Sequence, residues 1–411
     1  MLNFIIDMIA DRFRDKSFDI TKQDYKFMKI KRAKEEIKKN FPYIKLIDMG
    51  IGEPDSPANS NIVKILKEEA GKPENRHYSD NGIPEFQKAA AKYLKEVFGV
   101  DNIDPYKEIL HGIGAKSILS MLPLCFINPG DITITTLPSY PIISTHTKYL
   151  GGVVYGLPLT KANNFYPDFS NIPNIILYRS KLLYINYPNN PTGQIANKDF
   201  YKRVIEFAHK NKIIVVADST YAPLTFDGIE PLSFLSIDGA KEVGVEIHSL
   251  SKIFNMTGWR LAFIAGNQDV INIYARVKAN SDSGQFRAIQ KAGVYALNHP
   301  EIIKKNSEKY SRRLDLLIKA LKEVGFNVEK PKATFYCYLP IPKGTKSGKT
   351  FENAEDFSLY LLKNAFICTV PWNTPEPYVR LSVTFEAKNY EEEKKIIEEF
   401  KNRLLKLKLI F

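Results

Sequence analysis

Val245-Glu246-Ile247-His248-Ser249-Leu250-Ser251-Lys252 is an apolar run that breaks off in two hydroxyls and a lysine, and the fold is read from it. A run of this length predicts a short buried strand. Groups just past the C-terminal end of a strand in an open α/β sheet sit where such sheets bind ligands. A lysine held there and partly desolvated loses basicity, which is what an amine nucleophile requires. Arg260 follows close behind with a planar guanidinium suited to phosphate. Taken alone, the same residues also describe a lysine on a surface loop.

On both sides of this run the pattern alternates strand, helix, strand, over 181–186, 199–210, 213–217, 244–248 and 261–265. Repeated βα units with short apolar strands predict an α/β fold whose mainly parallel sheet is covered by helices. Asn190, Asp218 and Lys252 then all fall at or just after strand ends. Upstream, helices are expected over 59–70 and 84–98, and strands at Ile109-Leu110 and Ile132–Thr135. Ile109 to Ser117 reads as strand, glycine turn and helix start, a natural anion cradle of unpaired N–H groups. Downstream, helices 286–298 and about 300–325 lead to strands near 326–329 and 334–340. A helix over 354–364, a strand over 379–384 and a last helix over 389–407 complete a smaller α+β domain. The expected division is an arm and part of the small domain over 1–50, a large domain over 51–295 and a small domain over 296–411.

Composition narrows the function classes. At 411 residues, with 44% apolar and 25% charged side chains, the chain is long enough for two closely associated globular domains. Three scattered cysteines and six scattered histidines make neither a disulfide framework nor a metal-ligand pattern, which points to a reducing cytoplasm. Met1 to Met8 lacks the basic lead and cleavage site of a signal peptide, and no apolar stretch approaches the ~20 residues of a membrane span. The net charge of +12 is dispersed and mixed with glutamates, as in Lys34-Glu35-Glu36. That mixing describes solvated helix faces rather than a nucleic-acid footprint, and it favours anionic metabolites.

Asn186 to Gly193 (NYPNNPTG), a strand-final Asp218 with Tyr221, then His248 to Arg260 (HSLSKIFNMTGWR) and Asn280 to Gln285 (NSDSGQ) occur in a specific order. In that order they resemble the fold-type I pyridoxal-phosphate aminotransferases, and within them the subgroup acting on LL-diaminopimelate. The resemblance runs from about Tyr25 to the C-terminus. It implies an aspartate-aminotransferase-like fold with a large pyridoxal-phosphate-binding domain, amino-acid and 2-oxo-acid substrates, and a homodimer with composite sites. It further implies that Lys252 holds the cofactor as an imine and moves the Cα proton, that Asp218 pairs with the pyridine nitrogen, and that Asn190 and Tyr221 bind the ring hydroxyl. Tyr140 would stack on the ring. Ser249, Ser251, Arg260, Ala115, Lys116 and Tyr78 of the partner subunit would hold the phosphate. Arg380 would bind the substrate α-carboxylate beside Gly52, with Tyr140, Asn190, Lys116, Tyr25 and Asn280 around the substrate. Many members carry a long glycine-rich loop before that arginine, whereas here the link is the compact Val370 to Glu376. An aminotransferase for aspartate, alanine or aromatic amino acids, or a lyase on the same fold, fits the same cofactor residues.

Overall fold

The structure, a computed structural model, describes residues 8–13 and 26–411. A short strand β1 (Ile47–Asp48) precedes a seven-stranded sheet made of β2 (Ile109–Gly112), β3 (Ile132–Leu137), β4 (Val153–Pro158), β5 (Ser180–Asn186), β6 (Ile214–Asp218), β7 (Gly244–Ser249) and β8 (Ala262–Gly266). Its spatial order is β2-β8-β7-β6-β5-β3-β4. Five neighbouring strands, from β7 to β4, run parallel, and β8 is antiparallel to both β7 and β2.

Alternation along each strand divides the core. On β5, Leu182 and Tyr184 join one apolar cluster while Leu183 and Ile185 join the other; on β7, Val245 and Ile247 face the first. Both faces are therefore covered, as parallel sheets require. Each fully buried aliphatic or aromatic side chain adds ~1.5–3 kcal/mol of transfer free energy.

The remaining strands are short. β9 (Tyr336–Pro340) is paired antiparallel with a later strand, and β10 (Gly344–Thr345) follows it. Next come β11 (Ile367–Cys368), parallel to β1, then β12 (Val370–Trp372) and β13 (Tyr378–Ser382), which form a three-stranded antiparallel sheet in the order β12-β13-β9. Helices Ile302–Val324, Ala354–Ala365 and Tyr390–Lys406 accompany this smaller sheet. Residues 326–329 pair with no strand among the described residues. Phe326 and Val328 are buried there, so side-chain burial alone produced the alternation read as a strand. The compact link at 370–376 is in part a hairpin arm, β12. The edge strand β4 and the helix Gln268–Ala279 were not anticipated.

Strand order positions the site. From β5 the chain steps one way to β6, β7 and β8, whereas β3 and β4 lie on the other side. The connections after β3 and β5 diverge, leaving a crevice at the carboxyl ends. Because β8 runs backwards, its beginning, next to Arg260, lies on this same edge. β2 is reversed twice relative to β7 and also ends there, delivering Gly112 and the helix Gly114–Phe126.

Candidate active site

A cavity of about 580 Å³ lies at these strand ends. A larger surface groove, about 790 Å³, runs past Glu69, Tyr78 and Arg287, but two of its three lysines are already ion-paired, Lys72 with Glu69 and Lys291 with Glu85. The smaller cavity is the one that concentrates perturbed chemistry.

Lys252 follows Ser249, whose side chain accepts the Ser251 N–H at 3.2 Å and opens the helical turn Leu250–Ile253. The Lys252 amine donates to the Gly52 carbonyl at 2.8 Å. Burial pulls its pKa down to about 8; Glu53 opposes this, and the guanidinium groups of Arg260 and Arg380 reinforce it. The cavity floor therefore holds an amine that loses its proton near pH 8, well below an ordinary lysine.

Asp218 ends β6 on the same face as Tyr184, a residue of the neighbouring strand that pairs with Val216. The Tyr184 hydroxyl donates to Asp218 Oδ2 at 2.9 Å, while the Thr220 N–H and hydroxyl donate to Oδ1 at 3.1 and 2.6 Å. Burial raises the Asp218 pKa against these bonds. None of the three donors is a cation, so a cationic heteroaromatic ring fits what the carboxylate lacks.

A third corner suits an anion. Gly114, at φ +76°, starts the helix Gly114–Phe126, and a Cβ there would overlap the Arg260 guanidinium. Arg260 itself donates to the Ser251 hydroxyl at 3.3 Å and the Thr257 carbonyl at 2.8 Å. Helix N–H groups, two serines and a guanidinium together suit an anion such as a phosphate. In the fourth corner, Arg380 donates to Asn190 Oδ1 at 2.9 Å and to the Gly50 carbonyl at 3.2 Å, and its buried Nε meets no acceptor among the described residues. A carboxylate is the natural partner for a buried, uncompensated guanidinium.

The cavity brings together Gly52, Ala115, Lys116, Tyr140, Asn190, Asp218, Tyr221, Ser249, Ser251, Lys252, Arg260 and Arg380. Tyr78, which is exposed, and Asn280, which is bonded to the Arg276 carbonyl, lie outside this chain's own cavity. Tyr25 lies outside the described residues. Sequence reading missed Ser139, Thr220 and Tyr336, all of which line the cavity, and Tyr184 beneath it, while Val370 and Trp372 of the compact link, expected near the substrate, line it too. Asn186 closes β5 beneath the site. It holds the Asn190 N–H at 2.8 Å and the Asp218 carbonyl at 2.9 Å, which fixes two site residues relative to each other.

Residues 44–395 match the family described as aminotransferase class I and II. The LL-diaminopimelate aminotransferase of Methanocaldococcus jannaschii is 51% identical over 420 residues, covering 100% of each chain. That of Methanococcus maripaludis is 49% identical over 416 residues, again covering both completely. The substrate-bound BacF structure from Bacillus subtilis superimposes with a TM-score of 0.85 at 33% identity, over 94% of this chain and 95% of that one. With the match spanning both the cavity-lining loops and the small sheet that carries Arg380, the chain belongs to the aminotransferase class I and II family and is a transaminase.

Proposed function

We propose that the enzyme exchanges amino groups between LL-diaminopimelate and 2-oxoglutarate, running in the cell to aminate tetrahydrodipicolinate with glutamate, a step toward lysine. The observation that carries this reading is full-length identity near one half to two enzymes of that name. The cavity supports it: a weakly basic amine, a buried carboxylate without a cation, an anion cradle and a guanidinium whose Nε lacks an acceptor among the described residues surround one space.

These four corners fit pyridoxal phosphate plus an amino acid. When bound, that cofactor supplies an aldehyde carbon and an electron-withdrawing ring. Lys252 would hold it and carry the proton to and from the substrate Cα. Asp218 would keep a proton on the ring nitrogen. Asn190 and Tyr221 would bond the ring hydroxyl, with Tyr140 against the ring. Ser249, Ser251, Arg260, Ala115 and Lys116 would hold the phosphate, together with Tyr78 of the partner subunit. Arg380, beside Gly52, would fix the α-carboxylate. Lys116, Tyr25 and Asn280 of the partner subunit would serve the distal end. Val370 and Trp372 line the same cavity, so the compact link takes part in substrate choice.

Single-turnover conversion of the cofactor by LL-diaminopimelate, its meso isomer, glutamate, aspartate and alanine tests the substrate. LL-diaminopimelate and glutamate should react well and the meso isomer poorly, because a site built for polar groups leaves them unpaired with the wrong substrate. If aspartate or alanine outpaces diaminopimelate tenfold, about 1.4 kcal/mol in the barrier, the enzyme is an aminotransferase of another specificity.

The same reading makes the enzyme a cytoplasmic homodimer with composite sites, its domains meeting near residues 50 and 295. Among the described residues no helix is long and apolar enough to cross a membrane. Tyr78 is exposed on this chain, as a residue reaching into a neighbour's site must be. Co-expression of a Lys252→Ala chain with a Tyr78→Phe/Asn280→Ala chain should restore activity, since each mixed dimer then contains one intact site. A fully active monomer by light scattering removes this part of the reading.

A further inference from the structure

Tyr336 has no role in the proposed function, yet it touches the Arg380 corner through its ring and the lysine corner through the Gly52 carbonyl. Its ring is buried on β9, beside Arg380 on β13. The register pairs Arg380 with Tyr338 and Ser382 with Tyr336, so Tyr336 and Arg380 are diagonal neighbours on one face. The Arg380 guanidinium carbon stands 4.1 Å from the centre of the Tyr336 ring. The Tyr336 hydroxyl lies 3.1 Å from the Tyr221 hydroxyl and 3.4 Å from the Gly52 carbonyl, the same oxygen that receives the Lys252 amine. A Cβ at position 52 would stand 3.1 Å from that hydroxyl and 3.4 Å from Arg380 Nη2, so the approach depends on Gly52.

We propose that Tyr336 is a positioning residue with two separable tasks: its ring face carries Arg380 for carboxylate recognition, and its hydroxyl pins Tyr221 and the Gly52 carbonyl beside Lys252. This rests on the reading that Arg380 receives the substrate carboxylate. A guanidinium bonded by its two Nη atoms to Asn190 and Gly50 can still tilt. An aromatic face attracts the cation and fixes its plane, which a two-pronged carboxylate contact needs. The hydroxyl meanwhile links Tyr221 to the lysine corner through a single oxygen, the Gly52 carbonyl.

Tyr336→Phe keeps the ring and removes the hydroxyl, whereas Tyr336→Leu removes both. Binding of succinate, a dicarboxylate that cannot react, is measured on the cofactor-loaded enzyme by calorimetry, beside KM and kcat for glutamate. The phenylalanine variant should bind succinate within threefold of the parent and keep its KM, while kcat falls three- to tenfold with a displaced pH profile. The leucine variant should weaken succinate binding and raise KM tenfold or more. Tyr336→Met, of similar bulk without an aromatic face, replaces the leucine arm if that variant does not fold. Equal loss of succinate binding in the phenylalanine and leucine variants, or no loss in either, overturns the ring's role. An unchanged kcat and pH profile in the phenylalanine variant overturns the hydroxyl's role. Arg380→Ala is the control: if it leaves succinate binding intact, the reading of Arg380 itself fails, whatever Tyr336 does.

Discussion

Replacing Lys252 with alanine should lower turnover by about 10⁴-fold or more, ~5.4 kcal/mol in the barrier, while leaving the fold intact. The side chain lines the same cavity as Asp218 and donates to the Gly52 carbonyl. Its lowered pKa, caused first by burial, makes a further expectation for the native chain without cofactor. Condensation with pyridoxal phosphate should accelerate through pH about 8 and level off above it. A surface lysine, ordinarily near 10.4, would keep accelerating to beyond pH 10. The sign for stability follows from the same depression. Between about 8 and the ordinary 10.5, the unfolded chain still binds a proton that the folded one has lost. This group therefore adds stability as pH rises through that window and costs most below it. Stopped-flow rates against pH check the first point. A borohydride-reducible link retained at full stoichiometry in the alanine variant would mean that another lysine is the anchor.

The second large effect concerns stability. Glu246 should cost about 3–5 kcal/mol when replaced by alanine, because a buried, fully bonded charge is removed from among its donors. The side chain is wholly buried on β7. It accepts from the Ser219 and Ser233 hydroxyls and from the N–H groups of Phe234 and Leu235 at 3.1 and 3.4 Å, with His248 Nε2 at 3.4 Å. Burial alone would raise its pKa, yet His248 and the two serines hold it below the usual carboxylate range. Its contribution is therefore present above the unfolded carboxylate pKa and lost as pH falls through the lower folded value. Glu246→Gln keeps the shape and should lose roughly 1–3 kcal/mol. Urea unfolding measures both, and a loss under about 1 kcal/mol in the alanine variant would show that the cluster relaxes. The effect would reach the site as well, since Ser219 directly follows Asp218.

What was legible in the sequence and what was not divide along physical lines. The ends of β5, β6 and β7 could be read because apolar runs stop abruptly at Asn186, Asp218 and Ser249, and a buried strand cannot continue into such groups unpaired. Arg260 and Gly114 were recognisable as an anion corner, but not as touching each other: that contact needs β8 to run backwards, and strand direction leaves no mark on an apolar run. Tyr336 and Tyr184 looked like core aromatics, which they also are; only the partners of their hydroxyls, brought in by other strands, set them apart. Glu246 did carry a signal. A carboxylate inside an apolar strand must be satisfied, so its presence in Val245-Glu246-Ile247 announced a hidden polar cluster. Tyr78 and Asn280 have no such local mark, because their proposed partners belong to another subunit.

The reversed strand β8 also sets the order in which the site can assemble. β7 and β8 close on each other over residues 244–266, so Lys252 and Arg260 meet through a short loop of small closure entropy. The contact between Arg380 and Gly50 joins residues 330 positions apart. During synthesis the lysine and its anion corner can form while the ribosome is still far from the C-terminal strands. The guanidinium proposed to read the substrate is made more than a hundred residues later, so on that reading the chain gains its reactive lysine before it gains its selectivity.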